Sequence, residues 1–311
     1  MIGITGATGF VGQALCREMM ARQLVWRGFS QSGKPVLGVP TQSLSLAPET
    51  DWRGALQGLE CVIHCAARVH QMDASAAADE QAFQRINTHG TVRLAQSAAD
   101  AGVRRLIFLS SVKAMGEYTL PGHPFQHDTK AEPQDAYGRS KLDAEKGLHA
   151  VARATGIEIV VVRPPLVYGP GVGANFRALM RAVARGIPLP LEKVDNRRSL
   201  IGVQNLADLL LAAARHPGAA GQTFLASDGE DLSTPDLIRR LAKAMGRPAR
   251  LLPVPSSWLG MGARMVGKSA QWERLSQSLQ VDIGHTMQVM DWKPKWSVQQ
   301  GLELTVGDVL R

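Results

Sequence analysis

The sequence predicts an α/β protein, a doubly wound parallel sheet followed by a smaller C-terminal lobe. Three observations carry that prediction. Short apolar runs alternate with segments of helical period through the first half of the 311 residues, as repeated strand–helix–strand units require. A glycine-rich turn, Thr5-Gly6-Ala7-Thr8-Gly9-Phe10-Val11-Gly12, joins the first run to the first helical segment. Beyond Arg163 the alternation loosens, and Pro and Gly cluster from Pro164 to Gly173.

Met1 to Thr5 reads as a buried strand. After the glycines, Val11, Ala14, Leu15 and Met19 follow helical spacing. Leu24 to Phe29 reads as a second strand, and residues 31–50 give no third one. Cys61 to Ala66 is a continuous apolar run, as a strand covered on both faces should be. A helix from Asp79 to Ala101 would put Phe83, Ile86, Gly90, Leu94 and Ala98 on one face. Arg105 to Leu109 is a strand closed by Ser110-Ser111; a helix carries Tyr137 and Lys141; Ile157 to Val162 is the next strand. Ser233 caps a later helix, with Pro235 in its first turn and Gly246 at its end. The expected division is a dinucleotide-binding domain over 1–166, to which 196–226 return, and a substrate lobe over 167–195 and 227–311.

Composition narrows the class. Apolar residues make up 45% and charged residues 20%, ordinary for a soluble enzyme. No apolar run reaches the roughly 18 residues of a membrane span. The chain begins without a basic segment followed by a long apolar one, so a secretory signal is not expected and the cytoplasm is the default location. The three cysteines cannot make a disulfide framework; Cys61 and Cys65, on one predicted strand, would lie roughly 13 Å apart. No cluster has zinc spacing, so no metal is expected. A net charge of +8 and a pI near 9.7 keep the chain soluble and favour polyanionic small molecules. Without a long Lys/Arg run or an RNA-binding signature, nucleic acid is not an expected partner.

The glycine turn is the first functional signal. Gly6, Gly9 and Gly12, with Phe10 and Val11 in the opening turn of the helix, form a cradle in which backbone can approach a pyrophosphate and helix N–H groups face the anion. Enzymes that use NAD usually carry an acid after the second strand to hold the ribose hydroxyls. Here that region reads Arg27-Gly28-Phe29-Ser30-Gln31-Ser32-Gly33-Lys34, with two cations and no acid. Arg27 and Ser30 are therefore expected at the cofactor, and NADP is favoured over NAD.

The second signal is Tyr137-Gly138-Arg139-Ser140-Lys141. Residues at i and i+4 share a helical face. A free phenol, with a pKa near 10, is a poor base at neutral pH; a neighbouring ammonium and an oxidised nicotinamide favour the phenolate. Tyr137 can then exchange a proton with a substrate oxygen while hydride moves. Ser110 and Ser111 stand at a strand's carboxyl end, where open parallel sheets bind ligands. Asn87 reads as a tie between helix and sheet, and His64 as a core or cofactor-wall histidine.

Taken in order, the glycine string, His64-Cys65-Ala66-Ala67, Asn87 to Thr91, Ser110-Ser111, Tyr137 to Lys141 and Arg163-Pro164-Pro165-Leu166-Val167-Tyr168-Gly169-Pro170-Gly171 resemble the extended short-chain dehydrogenase/reductase family, whose nucleotide domain is a Rossmann fold. The resemblance implies a catalytic triad of Ser111, Tyr137 and Lys141, and a nicotinamide site lined by Ala66, Ala67 and Pro164; Ser110 is also expected at the cofactor. It also implies a homodimer that pairs helices near 80–101 and 137–153.

Members with this architecture mostly act on nucleotide-linked sugars. By that resemblance Asn175 matches the position that contacts the sugar-nucleotide diphosphate, and Arg198 the substrate-anchoring arginine, with Arg274 a second anchor. Arginine's planar, permanently charged fork suits a diphosphate. The family's 4,6-dehydratases carry Asp-Glu directly after the catalytic hydroxyl residue; here Val112-Lys113 follows Ser111, which argues against dehydration. A C4 epimerase and a 4-ketoreductase remain. Ala67-Arg68-Val69-His70-Gln71-Met72 and the stretches 110–116 and 164–175 look like bacterial surface-polysaccharide enzymes on UDP-linked amino sugars. The missing acid after the second strand suits an exchangeable NADPH, so a 4-ketoreductase is favoured, an epimerase is the alternative, and a non-catalytic NAD(P) sensor is third.

Overall fold

In the computed structural model, which describes residues 1–69 and 76–309, a large sheet carries the glycine turn at its centre. The first half of the chain runs β1 (Ile2–Thr5), α1 (Phe10–Ala21), β2 (Trp26–Ser30), β3 (Thr41–Ser43), α2 (Arg53–Leu56), β4 (Cys61–His64), α3 (Ala76–Phe83), a π-helical stretch (Gln84–Gly90), α4 (Thr91–Asp100), β5 (Arg105–Leu109), α5 (Ala136–Thr155) and β6 (Glu158–Arg163). The second half runs β7 (Leu166–Tyr168), α6 (Ala174–Ala184), β8 (Arg198–Gly202), α7 (Val203–Arg215), β9 (Thr223–Leu225), β10 (Asp231–Leu232) and α8 (Thr234–Ala244). It ends with α9 (Ser256–Met265), α10 (Ser269–Ser276), α11 (Gly284–Met290) and α12 (Val298–Val309).

Seven strands pair in the order β3-β2-β1-β4-β5-β6-β9, all parallel. Successive strands are laid outward from β1 first on one side and then on the other, which opens a crevice between the carboxyl ends of β1 and β4. One apolar layer joins Ile4, Leu15, Met19, Ile63 and Ile107 to α7, and the opposite layer joins Phe29, Val62, Phe108, Leu94 and Leu148. The doubly wound α/β class read from the sequence is the class observed. A second sheet, β10-β8-β7, belongs to the lobe, whose core includes Phe176, Met180, Leu241 and Leu302. Of the span 196–226, β8 lies in this small sheet, whereas β9 joins the large one and α7 covers its face.

Several local expectations shift. The second strand starts at Trp26, not Leu24. The third strand, absent from the sequence reading, is Thr41–Ser43 at the sheet edge. Cys65 follows β4 rather than lying in it. The helix expected over 79–101 is interrupted by the π-helical stretch, whose wider turn advances the phase. Asn87, Thr88 and Gly90 are therefore buried there, and Ile86 is only half-buried. Ser233 does cap α8, accepting from Asp236 N at 3.1 Å.

Candidate active site

The glycine turn fits a dinucleotide for steric reasons. Gly6 has φ +68°, and a Cβ on it would stand 2.7 Å from Ala66 N; the turn after β1 thus packs on the segment after β4. A Cβ on Gly12 would stand 2.0 Å from Gly6 O. Gly9 caps α1 without any side-chain acceptor, so the first-turn N–H groups face outward from the crevice floor. Val11 packs on the large core, while Phe10 packs on the lobe core and ties the turn to it. These residues suit a pyrophosphate. Of the residues expected at the nicotinamide, Ala66 and Ala67 are half-buried beside the turn, and Pro164 is buried with its carbonyl accepting from Val112 N at 2.9 Å.

Arg27 does not reach this site. It sits one residue into β2, opposite Gly3, and its Nη1 donates to Ala55 O at 2.7 Å and Gln57 O at 3.2 Å. That places its guanidinium at the amino ends of the strands, away from any 2′ group. Ser30, at the carboxyl end of β2, is buried and accepts from Gly33 N at 3.0 Å. Lys34 is exposed in the following loop.

The trio predicted from the sequence gathers at the carboxyl end of β5. Lys141 is buried and its Nζ donates to Leu109 O at 2.8 Å, two residues before Ser111. The ammonium lies 4.5 Å from the Phe108 ring centroid and 5.9 Å from that of Tyr137. Burial lowers its pKa to about 8. Ser111 Oγ accepts from Lys113 N at 3.2 Å, capping a 3₁₀ turn over Val112–Ala114. Tyr137 stands half-buried in the first turn of α5, edge-on to Phe83 with centroids 5.9 Å apart. Burial first, and then the Asp135 carboxylate, push its phenol up to about 12. This differs from the expected lowering: the cationic ring that would draw the phenol down belongs to a ligand, and Lys141 alone does not offset burial.

The structure adds two supports that the sequence reading does not include. Asp135 caps α5, accepting from Gly138 N at 2.6 Å, and its other oxygen takes the Lys113 ammonium at 2.6 Å. Gly138 sits where a Cβ would lie 2.3 Å from Lys113 O. Behind the trio, Ser110 donates to Glu145 at 2.5 Å, and Glu145 pairs with Arg163 at 2.5 Å in a buried ion pair. The Ser110 hydroxyl therefore braces α5 rather than facing the crevice. A capping pattern, Asp135-x-x-Gly138 before an apolar helix face, was the signal that could have found the first support.

Asn87 joins the segment after β4 to α5: its Oδ1 accepts from Arg68 N at 2.8 Å, and its Nδ2 donates to Arg68 O at 3.1 Å and to Ser140 Oγ at 3.2 Å. His64 is buried between Thr5 Oγ1 at 2.5 Å and Thr91 Oγ1 at 2.9 Å; burial, aided by Lys141, drops its pKa to about 3. It is a neutral core histidine. His70 to Met72 lie outside the described residues.

The expected substrate anchors lie on the lobe. Asn175 is exposed on the first turn of α6. Arg198 opens β8, and its Nη1 donates to Arg274 O at 3.0 Å and Gln277 O at 2.9 Å. Arg198 and Arg274 are thus neighbours, but through the Arg274 main chain; the Arg274 side chain is exposed. Burial lowers the pKa of Arg198, and Glu117 opposes that effect. A cavity of about 460 Å³ opens in the loop after Gly116, lined by residues that include Tyr118, His123, Phe125 and Gln126. Among the described residues, no helix is long and apolar enough to cross a membrane.

A sequence model of the NAD dependent epimerase/dehydratase family matches residues 2–226. A Vibrio cholerae protein named UDP-glucose 4-epimerase is 42% identical over 305 residues, spanning 97% of this chain and 93% of that one. The Thermotoga maritima UDP-glucose 4-epimerase solved with UDP-glucose superposes with a TM-score of 0.77 at 20% identity, over 99% of this chain and 98% of that one. RMD from Pseudomonas aeruginosa, complexed with NADPH, gives 0.77 at 23% identity and the same coverage. At such identities the two structures speak for the fold.

Proposed function

The chain belongs to the NAD dependent epimerase/dehydratase family, and from that premise we propose that it oxidises or reduces C4 of a UDP-linked hexose, most specifically by reducing a 4-keto-6-deoxy amino sugar with NADPH. The gathering of Ser111, Tyr137 and Lys141 at the end of β5 carries the reading. A bound nicotinamide supplies or accepts the hydride. Tyr137 gives its proton to the C4 oxygen when the ketone is reduced and takes it back when the alcohol is oxidised. Ser111 donates a hydrogen bond to the same oxygen, and Lys141 keeps a positive charge beside the phenol. A phenol held protonated at neutral pH suits the donor's part.

The direction of the reaction rests on the end of β2. No acid occurs from Ser30 to Pro48, so no carboxylate is available there to grip ribose hydroxyls or repel a 2′-phosphate. Lys34, and not Arg27, is the cation left for that phosphate. These residues favour a cofactor that exchanges at every turnover. The second reading, a C4 epimerase that retains NAD, is favoured by the full-length Vibrio cholerae relative. Asn175 and Arg198 are proposed to hold the diphosphate, with Arg274 secondary, in a homodimer paired through α4 and α5 and located in the cytoplasm.

One assay in two forms separates the readings. With a UDP-4-keto-6-deoxy amino sugar, reduced-nicotinamide absorbance should fall, faster for NADPH than NADH. With UDP-glucose or UDP-N-acetylglucosamine and no added cofactor, no C4 isomer should form. The reverse pair of results, with NAD carried through purification, establishes the epimerase; silence in both returns the sensor reading.

A further inference from the structure

We propose that Lys113 is a positioning residue for Tyr137: by pairing with Asp135 it clamps the start of α5 to the turn that carries Ser111 and neutralises the carboxylate two residues before the phenol. The inference rests on the reading of Tyr137 as the proton carrier and adds to it a residue that touches neither substrate nor cofactor.

The geometry is reciprocal. The side chain of Lys113 reaches forward to Asp135 Oδ2 at 2.6 Å and sideways to Glu117 Oε1 at 2.9 Å. Its main-chain carbonyl lies where a Cβ on Gly138 would stand 2.3 Å away. Asp135 spends its other oxygen on Gly138 N. One residue therefore holds both sides of the contact that brings the Ser111 turn to the Tyr137 turn. The ion pair is partly shielded, with side-chain exposures of 29% for Lys113 and 22% for Asp135. Substitution of Lys113 by a neutral residue takes away the cation beside Asp135 and leaves that carboxylate, two residues from Tyr137, with only the Gly138 N–H and the Glu117 carboxyl group as partners; an anion there disfavours the phenolate.

Among the described residues, the other charges around Tyr137 are accounted for. On α5, Lys141 faces its ring, Arg139 pairs with Glu80 of α3, and Glu145 pairs with Arg163. On α3, which supplies the Phe83 ring, Asp79 pairs with Arg68. From the turn after β5 come Lys113 and Glu117, and Glu117 also acts on Arg198 across the lobe. Within this set Lys113 is the cation that contacts Asp135 directly.

The test follows the phenol itself. The chain has three tyrosines, Tyr118, Tyr137 and Tyr168, so tyrosinate absorbance near 295 nm, less that of Tyr137→Phe, isolates the Tyr137 step in protein saturated with oxidised cofactor. That step should rise by about half a pH unit or more in Lys113→Met, return in Lys113→Arg, and fall in Asp135→Asn, which keeps the helix cap but not the charge. The high-pH limb of NAD(P)H turnover should move with it. A Tyr137 step unmoved in Lys113→Met and Asp135→Asn, while Tyr137→Phe is inactive, overturns the proposal and spares the catalytic reading. So does a loss of turnover that is uniform with pH and not restored by arginine. Full turnover in Tyr137→Phe removes the catalytic reading itself, whatever Lys113 does.

Discussion

Gly138 and the carbonyl of Lys113 are packed so closely that a single methyl group on the glycine would stand 2.3 Å from that oxygen. The glycine lies one residue after Tyr137 and the carbonyl two after Ser111, so this contact sets how near the two hydroxyl-bearing turns can come. Alanine is the better helix former by about 1 kcal/mol, yet here it must push α5 away from β5. Gly138→Ala should keep its circular-dichroism spectrum and lose roughly a hundredfold in kcat, the usual scale for an ångström of misplacement. Wild-type turnover in this variant would mean that the separation of the two turns is unimportant.

The glycine turn gives a graded prediction. On Gly9 a Cβ meets Gly6 O at 3.1 Å, a contact that small movements relieve; on Gly12 it meets the same atom at 2.0 Å. Gly12→Ala should abolish dinucleotide binding, read by quenching or transfer of protein fluorescence on titration with NADPH and NADH. Gly9→Ala should weaken it by about tenfold or less, consistent with partial relief of a crowded backbone. Equal effects from both substitutions would show that the turn does not act through its tight packing.

The elements that were legible in the sequence share a feature: their signal is local. The cradle declares itself within eight residues, and Tyr137 and Lys141 sit one helical turn apart. What stayed hidden depends on contacts between distant segments or on small changes of phase. β3 is three residues, Thr41-Gln42-Ser43, on a sheet edge, with no apolar alternation to reveal it. The π-helical stretch leaves the composition of a helix intact while turning Asn87 inward. Arg27 lies off the expected site because the strand begins two residues later than its apolar run suggests, and nothing local foretells that its guanidinium finds the Ala55 and Gln57 carbonyls. Lys113 and Asp135 are neighbours only once β5 and α5 have packed.

His64 predicts an acid-sensitive fold. Its pKa falls from an ordinary 6.5 to about 3 because burial between Thr5 and Thr91 disfavours the imidazolium. Between those values the unfolded chain binds a proton that the folded chain does not, so stability drops as pH falls from about 6.5 towards 3, and is fully kept above 6.5. Each pH unit across that window contributes about 1.4 kcal/mol. Urea midpoints at pH 7, 6 and 5 should fall more steeply for wild type than for His64→Gln. Parallel lines for the two proteins would show that His64 titrates normally in the fold.

The pair behind the candidate active site makes the strongest stability prediction. Arg163 and Glu145 are joined by two hydrogen bonds, at 2.5 and 3.0 Å, with side-chain exposures of only 9% and 4%, and Ser110 adds a third bond to the carboxylate. Removing one partner strands the other charge in the interior. Arg163→Met should therefore cost about 3–5 kcal/mol, whereas Arg163→Met with Glu145→Leu, which removes both charges, should recover much of that loss. Ser110→Ala leaves the ion pair intact and should cost no more than about 1–3 kcal/mol, the range for a hydrogen bond to a charged group. Chemical denaturation of the four proteins measures the ordering directly. Because Glu145 lies one helical turn beyond Lys141, the double variant also tests whether the pair serves only the fold. Restored stability with turnover still depressed would assign it a part in holding Lys141 against Leu109 O, and restored turnover would confine it to the core.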